Sequence, residues 1–185
     1  MNDAFVTDVL TIRKRAREQM ADGAITDGYK ADPKQVISVL NEVLATELVC
    51  VLRYKRHYYA AKGLSSLSVK QEFLEHAKEE QEHADWIAER ITQLGGEPDF
   101  NPANLATRSH SEYVPGDSLV SMLQEDLVAE RIAAATYTEI ARWLGSDDPT
   151  TRRLIERILQ KEEEHAEDLI SLLGHIAADE SAAHA

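Results

Sequence analysis

Four long amphipathic segments dominate this sequence, and the lengths of the connections between them constrain the fold more than any other feature. Apolar residues recur at steps of three and four over about 33–61, 66–94, 117–144 and 149–174, which predicts four α-helices. The first and last connections are a few residues long, whereas residues 95–116 separate the second helix from the third. Short, long and short connections predict two antiparallel helix pairs joined by a crossover, and therefore an all-α four-helix bundle.

Capping residues and helix breakers mark the ends of these segments. Polar N-caps, two of them followed by proline at the first helical position, predict the starts, and glycines predict the ends. The predicted starts are Asp32-Pro33, Ser66 or Ser68, Asp117 or Ser118, and Asp148-Pro149, and the predicted ends are Gly63, Gly95-Gly96, Gly145 and Gly174. A further cap, Asn101-Pro102, predicts a short extra helix inside the crossover.

The same boundaries divide the chain into three parts. Residues 1–32 are predicted to be an N-terminal extension, with a short amphipathic helix carrying Phe5, Val6, Val9 and Ile12 and then a linker. Residues 33–176 are predicted to form the bundle. Residues 177–185 are predicted to be a flexible tail.

Charge and composition exclude several classes of protein. A formal net charge of −13 argues against nucleic acid as the main partner, so we do not expect DNA binding. The single cysteine, Cys50, cannot build a disulfide framework within the chain and is expected to pack in the core. The N-terminus does not resemble a secretory signal, and no run of 18 apolar residues occurs, so we expect a cytoplasmic protein that does not span a membrane.

Six polar residues interrupt the apolar faces of the four helices near their middles. They are Glu47 on the first helix, Glu80 and His83 on the second, Glu130 on the third, and Glu162 and His165 on the fourth. In an antiparallel pair, facing residues are equidistant from the turn. The midpoint in sequence between Glu47 and Glu80 falls beside the first turn, and the midpoint between Glu130 and Glu162 falls in the last turn. The six residues are therefore predicted to meet at one level of the core.

The charge of this set predicts two metal ions. Buried carboxylates without partners are costly, and no Lys or Arg lies on the same faces nearby. Two divalent cations would balance four carboxylates with two neutral histidines. Mixed oxygen and imidazole ligands suit iron or manganese. The Glu-x-x-His motif at Glu80 begins 33 positions after Glu47, and the one at Glu162 begins 32 positions after Glu130. The two halves therefore look like copies of one half-site.

Other polar residues near this set have a simpler interpretation. His76 lies on the second apolar face without a matched partner and is predicted to be an ordinary core or rim histidine. Four glutamates are predicted to lie on solvated faces, although iron shuttling stays open for them: Glu79, Glu82, Glu163 and Glu164. Tyr54 and Tyr137 are candidates to donate an electron or to hydrogen-bond a ligand, with core packing an equal alternative.

The motifs resemble those of bacterioferritins in the ferritin-like superfamily. The resemblance covers about residues 36–174 and includes LNEVLATELVCVLRYKRHYYAAKGLSSL, EEQEHADWIAERITQLGGEP, QEDLVAER and ILQKEEEHAEDLISLL. It implies a ferritin-like bundle in which Glu80 and Glu162 bridge two iron ions, with manganese or zinc possible in the isolated protein. It also places Tyr54 where the family carries a tyrosine beside the di-iron centre.

Departures from bacterioferritins point to a smaller relative. Gln81 stands where the family carries its haem-binding methionine, so no haem of that kind is expected. The tail HIAADESAAHA leaves little room for the fifth helix of 24-subunit shells. An N-terminal extension and a long crossover with SEYVP resemble Dps-like proteins that keep a bacterioferritin-type site and form twelve-subunit shells. Ser109 and Ser111 lie in the region where some archaeal members carry a cysteine pair.

The function implied by this resemblance is iron storage and detoxification with ferroxidase activity. Fe(II) would be oxidised by O2 or H2O2 at the site within each subunit, and Fe(III) stored in a homo-oligomeric cage, a dodecamer in preference to a 24-mer. Two alternatives stay open. One is a di-iron or di-manganese peroxidase or catalase. The other is DNA protection of the Dps type, for which the basic stretch from Arg13 to Arg17 would be the motivating feature.

Overall fold

The computed structural model describes residues 8–26, 28–62 and 66–183. Within these ranges the chain forms helices and no strand. The α-helices are α1 Val9–Glu18, α2 Pro33–Ala60, α3 Ser66–Gln93, α4 Leu105–Arg108, α5 Leu119–Leu144 and α6 Pro149–Ala183, and a 3₁₀ turn spans Pro102–Asn104. Three predicted features lie outside the described residues: the helix stop at Gly63, and Phe5 and Val6 of the N-terminal helix.

The helix ends follow the predicted caps closely. The Asp32 side chain accepts a hydrogen bond from the Lys34 amide and Pro33 opens α2, while Ser118 caps α5. Gly95 and Gly145 adopt positive φ angles of 80° and 51° just after α3 and α5, a conformation that glycine reaches without steric cost. The helix boundaries predicted at these positions are confirmed to within two residues.

The predicted end of the last helix near Gly174 is wrong, because α6 continues to Ala183. A single interior glycine costs a helix only about 1 kcal/mol. The residues that follow it are rich in alanine and contain no proline, so nothing after Gly174 stops the helix.

The four long helices form the predicted bundle. α2 packs along α3, α5 packs along α6, and the two pairs meet through α2 with α5 and α3 with α6. The crossover runs along α2 and contains the predicted extra helical segment. Asn41 accepts a hydrogen bond from the Asp99 amide at 2.7 Å, and Thr46 accepts one from the His110 amide at 2.9 Å. These contacts fasten the crossover to the outside of the bundle.

Two apolar clusters fill the bundle, one toward each end. The first, near the Gly95 and Gly145 turns, includes Leu40, Leu44, Ile87, Ile91, Tyr137, Ile155 and Ile158. The second, toward the opposite end, includes Cys50, Tyr54, Val69, Phe73, Leu123 and Leu169. Cys50 is buried among apolar neighbours, as expected.

The helix α2 has the composition of a core helix. Among the described residues it is the one helix long and apolar enough to cross a membrane, yet 56% of its apolar window is buried inside the protein. Burial within a bundle accounts for that composition without a membrane.

The N-terminal extension differs from the bundle in its packing. No residue of α1 is buried, and Val9 and Ile12 expose 58% and 46% of their surfaces. The linker that follows α1 is anchored to the bundle, because the Tyr29 hydroxyl donates a hydrogen bond to Asp148 at 2.8 Å.

Candidate metal centre

The six predicted polar residues meet in the middle of the bundle. Each exposes at most 1% of its surface. Glu47 lies on α2, Glu80 and His83 on α3, Glu130 on α5, and Glu162 and His165 on α6. The six residues therefore lie together at one level of the core, as the sequence predicts.

The side chains form two overlapping groups. In each group the ligand atoms lie within 4.8 Å of one another. One group is Glu47, Glu80, His83 and Glu162, and the other is Glu80, Glu130, Glu162 and His165. Because Glu80 and Glu162 belong to both, the arrangement could hold two adjacent cations with two shared carboxylates. We refer to them as the His83 end and the His165 end.

Distances at the His83 end are short. His83 Nδ1 lies 3.1 Å from Glu47 Oε2, 3.1 Å from Glu162 Oε1 and 3.6 Å from Glu80 Oε2. A single imidazole N–H cannot bond well to three carboxylates at once. The nitrogen and the three carboxylates instead converge on one point, as ligands do.

The His165 end has the same design with longer distances. His165 Nδ1 lies 3.3 Å from Glu80 Oε1 and 3.9 Å from both Glu130 Oε2 and Glu162 Oε2. Its other nitrogen, Nε2, donates to Glu79 Oε2 at 2.7 Å. A carboxylate that orients the second nitrogen of a histidine is a common feature of metal sites.

Several atoms of this centre lack hydrogen-bond partners among the described residues. They are Glu80 Oε1, Glu130 Oε2, Glu162 Oε1 and His165 Nδ1. Buried polar atoms are normally satisfied, so such orphaned ligand atoms need an explanation. Cations bound between them would satisfy them all.

In the metal-free centre, protons supply the compensating charge. Burial and then the charge of Glu80 raise the pKa of Glu47 to about 8. Burial lowers the pKa of His83, but hydrogen bonds to Glu47 and Glu80 outweigh it and raise that pKa to about 10.

The His165 end shows the same behaviour. Burial and the neighbouring carboxylates raise the pKa of Glu162 well above its usual range. Burial opposes ionisation of Glu80 and Glu130 also, but the neighbouring histidine imidazoles lower the pKa of both carboxyls. The four carboxyls therefore differ in the metal-free centre, since the pKa is raised at Glu47 and Glu162 and lowered at Glu80 and Glu130.

Two tyrosines cross-brace the centre. The Tyr54 hydroxyl donates to Glu130 Oε1 and the Tyr137 hydroxyl donates to Glu47 Oε1, each over a short contact. Each tyrosine stands seven residues after the glutamate of its own helix and bonds the glutamate of the other half. Both are fully buried. Tyr54 is therefore where the resemblance places it, and Tyr137 has the matching position in the second half.

Two residues that contact the centre were not predicted from the sequence to do so. Glu79, predicted to be solvated, is only half-buried but bonds His165 directly. His76, predicted to be an ordinary core histidine, stacks on His165 with ring centroids 4.0 Å apart, and its Nδ1 lies 3.1 Å from the Tyr54 hydroxyl. Glu79 directly precedes Glu80, and His76 lies one helical turn before Glu80. A search of the sequence for polar residues that could contact the ligand histidines could therefore have found both.

The remaining predicted positions lie away from the centre. Glu82 and Glu163 are exposed and Glu164 is half-buried, in agreement with their assignment to solvated faces. The amide of Gln81 donates to Asp85 at 3.0 Å on the same helix. Arg53, the buried cation nearest in sequence to Glu47, pairs with Asp126 at 2.7 Å and not with the ligand set.

The chain is similar to known proteins over most of its length. The protein-family model of the ferritin-like domain matches residues 37–178 of this chain. A bacterial ferritin of Pseudomonas aeruginosa is 34% identical over 148 residues, 77% of this chain and 89% of that protein. A DNA protection during starvation protein of Pyrococcus furiosus is 30% identical over 138 residues, 72% of this chain and 74% of that protein.

A solved structure shows the same fold. It is the dodecameric thioferritin described as the bacterioferritin-related protein of Bacteroides fragilis, with a TM-score of 0.79 and 34% identity over 83% of this chain and 92% of that one. The similarities thus include both bacterial ferritins and proteins named for DNA protection.

Proposed function

This chain belongs to the ferritin-like domain family, and we propose that it is an iron-storage protein that oxidises Fe(II) at the centre between α2, α3, α5 and α6. The observation that carries the proposal is the pair of overlapping ligand groups, which share Glu80 and Glu162. Two cations held side by side can deliver two electrons to one oxidant molecule, which is the requirement for reducing H2O2 to water or O2 to peroxide.

Each residue has a defined task in this scheme. Glu80 and Glu162 would hold both Fe(II) ions, Glu47 with His83 would complete one end, and Glu130 with His165 would complete the other. The chemistry supplied by the bound iron is the transfer of one electron from each Fe(II) to O2 or H2O2. Carboxylates that carry four negative charges favour the more highly charged Fe(III) product.

The two tyrosines fix the orientation of the outer glutamates. A hydrogen bond from Tyr137 to Glu47, or from Tyr54 to Glu130, leaves the second carboxylate oxygen of each free to face the cation. Orienting partners of this kind commonly contribute 10- to 100-fold to metal affinity or activity, so the tyrosines serve the site in addition to packing the core.

Storage requires a cage, and we propose a homo-oligomer, with twelve subunits favoured. The bacterioferritin-related protein of Bacteroides fragilis, a similar chain over 92% of its length, is dodecameric. Several large apolar side chains on α2, α5 and α6 are exposed and available for subunit contacts, among them Leu52, Tyr59, Val128, Trp143 and Ile170. We also place the protein in the cytoplasm.

DNA binding is not part of the proposal. Arg13, Lys14, Arg15 and Arg17 lie exposed on α1, and some relatives are named for DNA protection. The net charge of −13 opposes accumulation on a polyanion.

The proposed function is tested by Fe(II) oxidation in a neutral isostere of a bridging residue. Glu162→Gln keeps the size of the side chain but removes its charge from both ends, so the initial rate of Fe(III) formation should fall about 100-fold or more. Glu163→Gln, an exposed neighbour on the same helix, is the matched control and should oxidise iron like the wild type. An unchanged rate in Glu162→Gln would refute the assignment, and peroxide consumption supported by manganese but not iron would favour a peroxidase or catalase.

A further inference from the structure

A third group of ligand-type side chains lies next to the His165 end. It consists of Glu72 and His76 on α3 and Asp168 on α6, and their candidate ligand atoms lie within 4.8 Å of one another. His76 is buried, whereas Asp168 exposes 56% of its side chain and Glu72 exposes 32%. The group therefore connects the protein surface with the buried centre.

The decisive atom is His76 Nε2. It is buried and has no hydrogen-bond partner among the residues that the structure describes. It faces Glu72 Oε1 at 3.4 Å and Asp168 Oδ2 at 3.8 Å, distances too long for good hydrogen bonds. A buried nitrogen in this position lacks the compensation that buried polar atoms normally receive.

The hydrogen bonds on the other side of the ring determine what Nε2 offers. The Tyr54 hydroxyl carries one hydrogen, which it donates to Glu130. At its 3.1 Å contact with His76 Nδ1 it must therefore accept, so Nδ1 carries the proton of the neutral ring. The Nε2 lone pair then points at two carboxylates. Three acceptors face one another with no donor among them, which is the arrangement that a cation resolves.

The internal repeat provides a comparison within the same chain. Glu80 and His83 of the first half correspond to Glu162 and His165 of the second. At the same offsets from these residues, the counterparts of the third group are Leu154 for Glu72, Ile158 for His76 and Trp86 for Asp168. Ile158 belongs to the first apolar cluster, and Leu154 and Trp86 pack against it. The polar group is thus a feature of the His165 end alone and not a consequence of the repeat.

We propose that Glu72, His76 and Asp168 form a third divalent-cation site, which captures Fe(II) from solvent and supplies it to the His165 end. One imidazole and two carboxylates suit Fe(II) and its neighbours Mn(II), Co(II) and Zn(II), with water completing the coordination. Since the ring of His76 lies 4.0 Å from that of His165, a cation leaving this site is already beside the pair of ligand groups. The supplying role rests on the proposed function, whereas cation binding by this group does not.

The test is an anaerobic Co(II) titration of the full chain by calorimetry. The wild type should bind about three Co(II) per chain, and Glu72→Gln/Asp168→Asn should bind about two, because the neutral pair retains the shape but not the charge of the ligands. Glu82→Gln/Glu167→Gln changes two exposed carboxylates on the same two helices and should keep the third ion. Equal stoichiometry in the wild type and in Glu72→Gln/Asp168→Asn would overturn the proposal.

A second measurement separates this site from the central pair. At Fe(II) concentrations below saturation, Glu72→Gln/Asp168→Asn should oxidise iron about tenfold more slowly, the lower end of what local charge adds to the capture of an ion. At saturating Fe(II) its rate should equal that of the wild type. An equal rate at low Fe(II) overturns the supplying role. A third outcome is that the wild type binds a single ion and Glu72→Gln/Asp168→Asn binds none. That result would support the third site and refute the proposed function.

Discussion

The two ends of the candidate metal centre use the same types of ligand, one histidine and three glutamates each, but have opposite surroundings. Beyond His83 lies the apolar side chain of Trp86, with ring centroids 5.4 Å apart, and the first apolar cluster. Beyond His165 lie Glu79 and His76, followed by Asp168 at the surface. One end is enclosed by the core and the other is joined to solvent through polar side chains.

This difference shows how a repeated half-site can serve two purposes. Trp86 and the first apolar cluster pack against the His83 end, and an apolar environment strengthens charge interactions. Acidic side chains around His165 attract cations and give them intermediate positions. Under the proposed function, the repeat accounts for two adjacent ligand groups, and the surroundings favour the arrival of cations at the His165 end.

The largest effects are expected from removing either histidine. His83→Ala and His165→Ala should each lower the rate of Fe(II) oxidation more than about 100-fold, beyond the usual loss for an orienting partner. They should differ in the third ion. His165→Ala removes the ring that stacks on His76 and should weaken Co(II) binding at the third site, whereas His83→Ala should preserve it. Calorimetry on both variants decides this, and identical losses of the third ion would contradict the distinction between the ends.

A smaller effect is expected from pH on the metal-free protein. The pKa of Glu47 is raised from 4.5 to about 8 and that of His83 from 6.5 to about 10. Between pH 6.5 and 8, Glu47 and His83 therefore each retain a proton in the folded state that the unfolded chain has largely released. The free energy of unfolding falls as pH rises, by about 1.4 kcal/mol per pH unit for each such proton.

Thermal unfolding in the presence of chelator measures this dependence. The Tm of the metal-free protein should fall from pH 6.5 to 8, and Glu47→Gln, which cannot ionise, should flatten the slope. Metal binding displaces the same protons, so the affinity for divalent cations should rise over that interval. A metal-free Tm that rises with pH would show that other groups hold these protons.

The smallest effects are expected from the tyrosines. Tyr54→Phe and Tyr137→Phe each remove one hydrogen bond to a buried carboxylate, which should lower the free energy of unfolding by about 1.5–3 kcal/mol in the metal-bound protein. Only Tyr54 also contacts His76. Tyr54→Phe should therefore weaken Co(II) binding at the third site by about tenfold, while Tyr137→Phe leaves it unchanged. Equal effects of the two substitutions on the third ion would remove the role given to Tyr54.

Much of the centre could be predicted because helices have a fixed geometry. Once Glu47 and Glu80 lie on apolar faces at equal distances from a turn, an antiparallel pair must bring them together. The family resemblance added the expectation that Tyr54 lies beside them. Its contact with Glu130, on the opposite helix pair, depends on how the two pairs are rotated against each other, which no local pattern specifies.

The third site shows where prediction from the sequence ended. Glu72 and His76 are one helical turn apart and could have been paired on spacing alone. Asp168 comes from another helix and lies 92 residues further along the chain than His76. On an acidic surface, many carboxylates stand at similar offsets, so charge patterns do not single it out.

The sequence by itself determined the four helices, their crossover and the level at which six ligands meet, because hydrophobic periodicity, caps and loop lengths act locally. The end of α6 was predicted wrongly, because Gly174 alone does not stop a helix that no proline follows. Tertiary structure alone decided which tyrosine contacts which glutamate and which end of the centre faces solvent. These depend on side-chain distances of a few ångströms between helices distant in the chain, and those distances are set by the packing of the whole core.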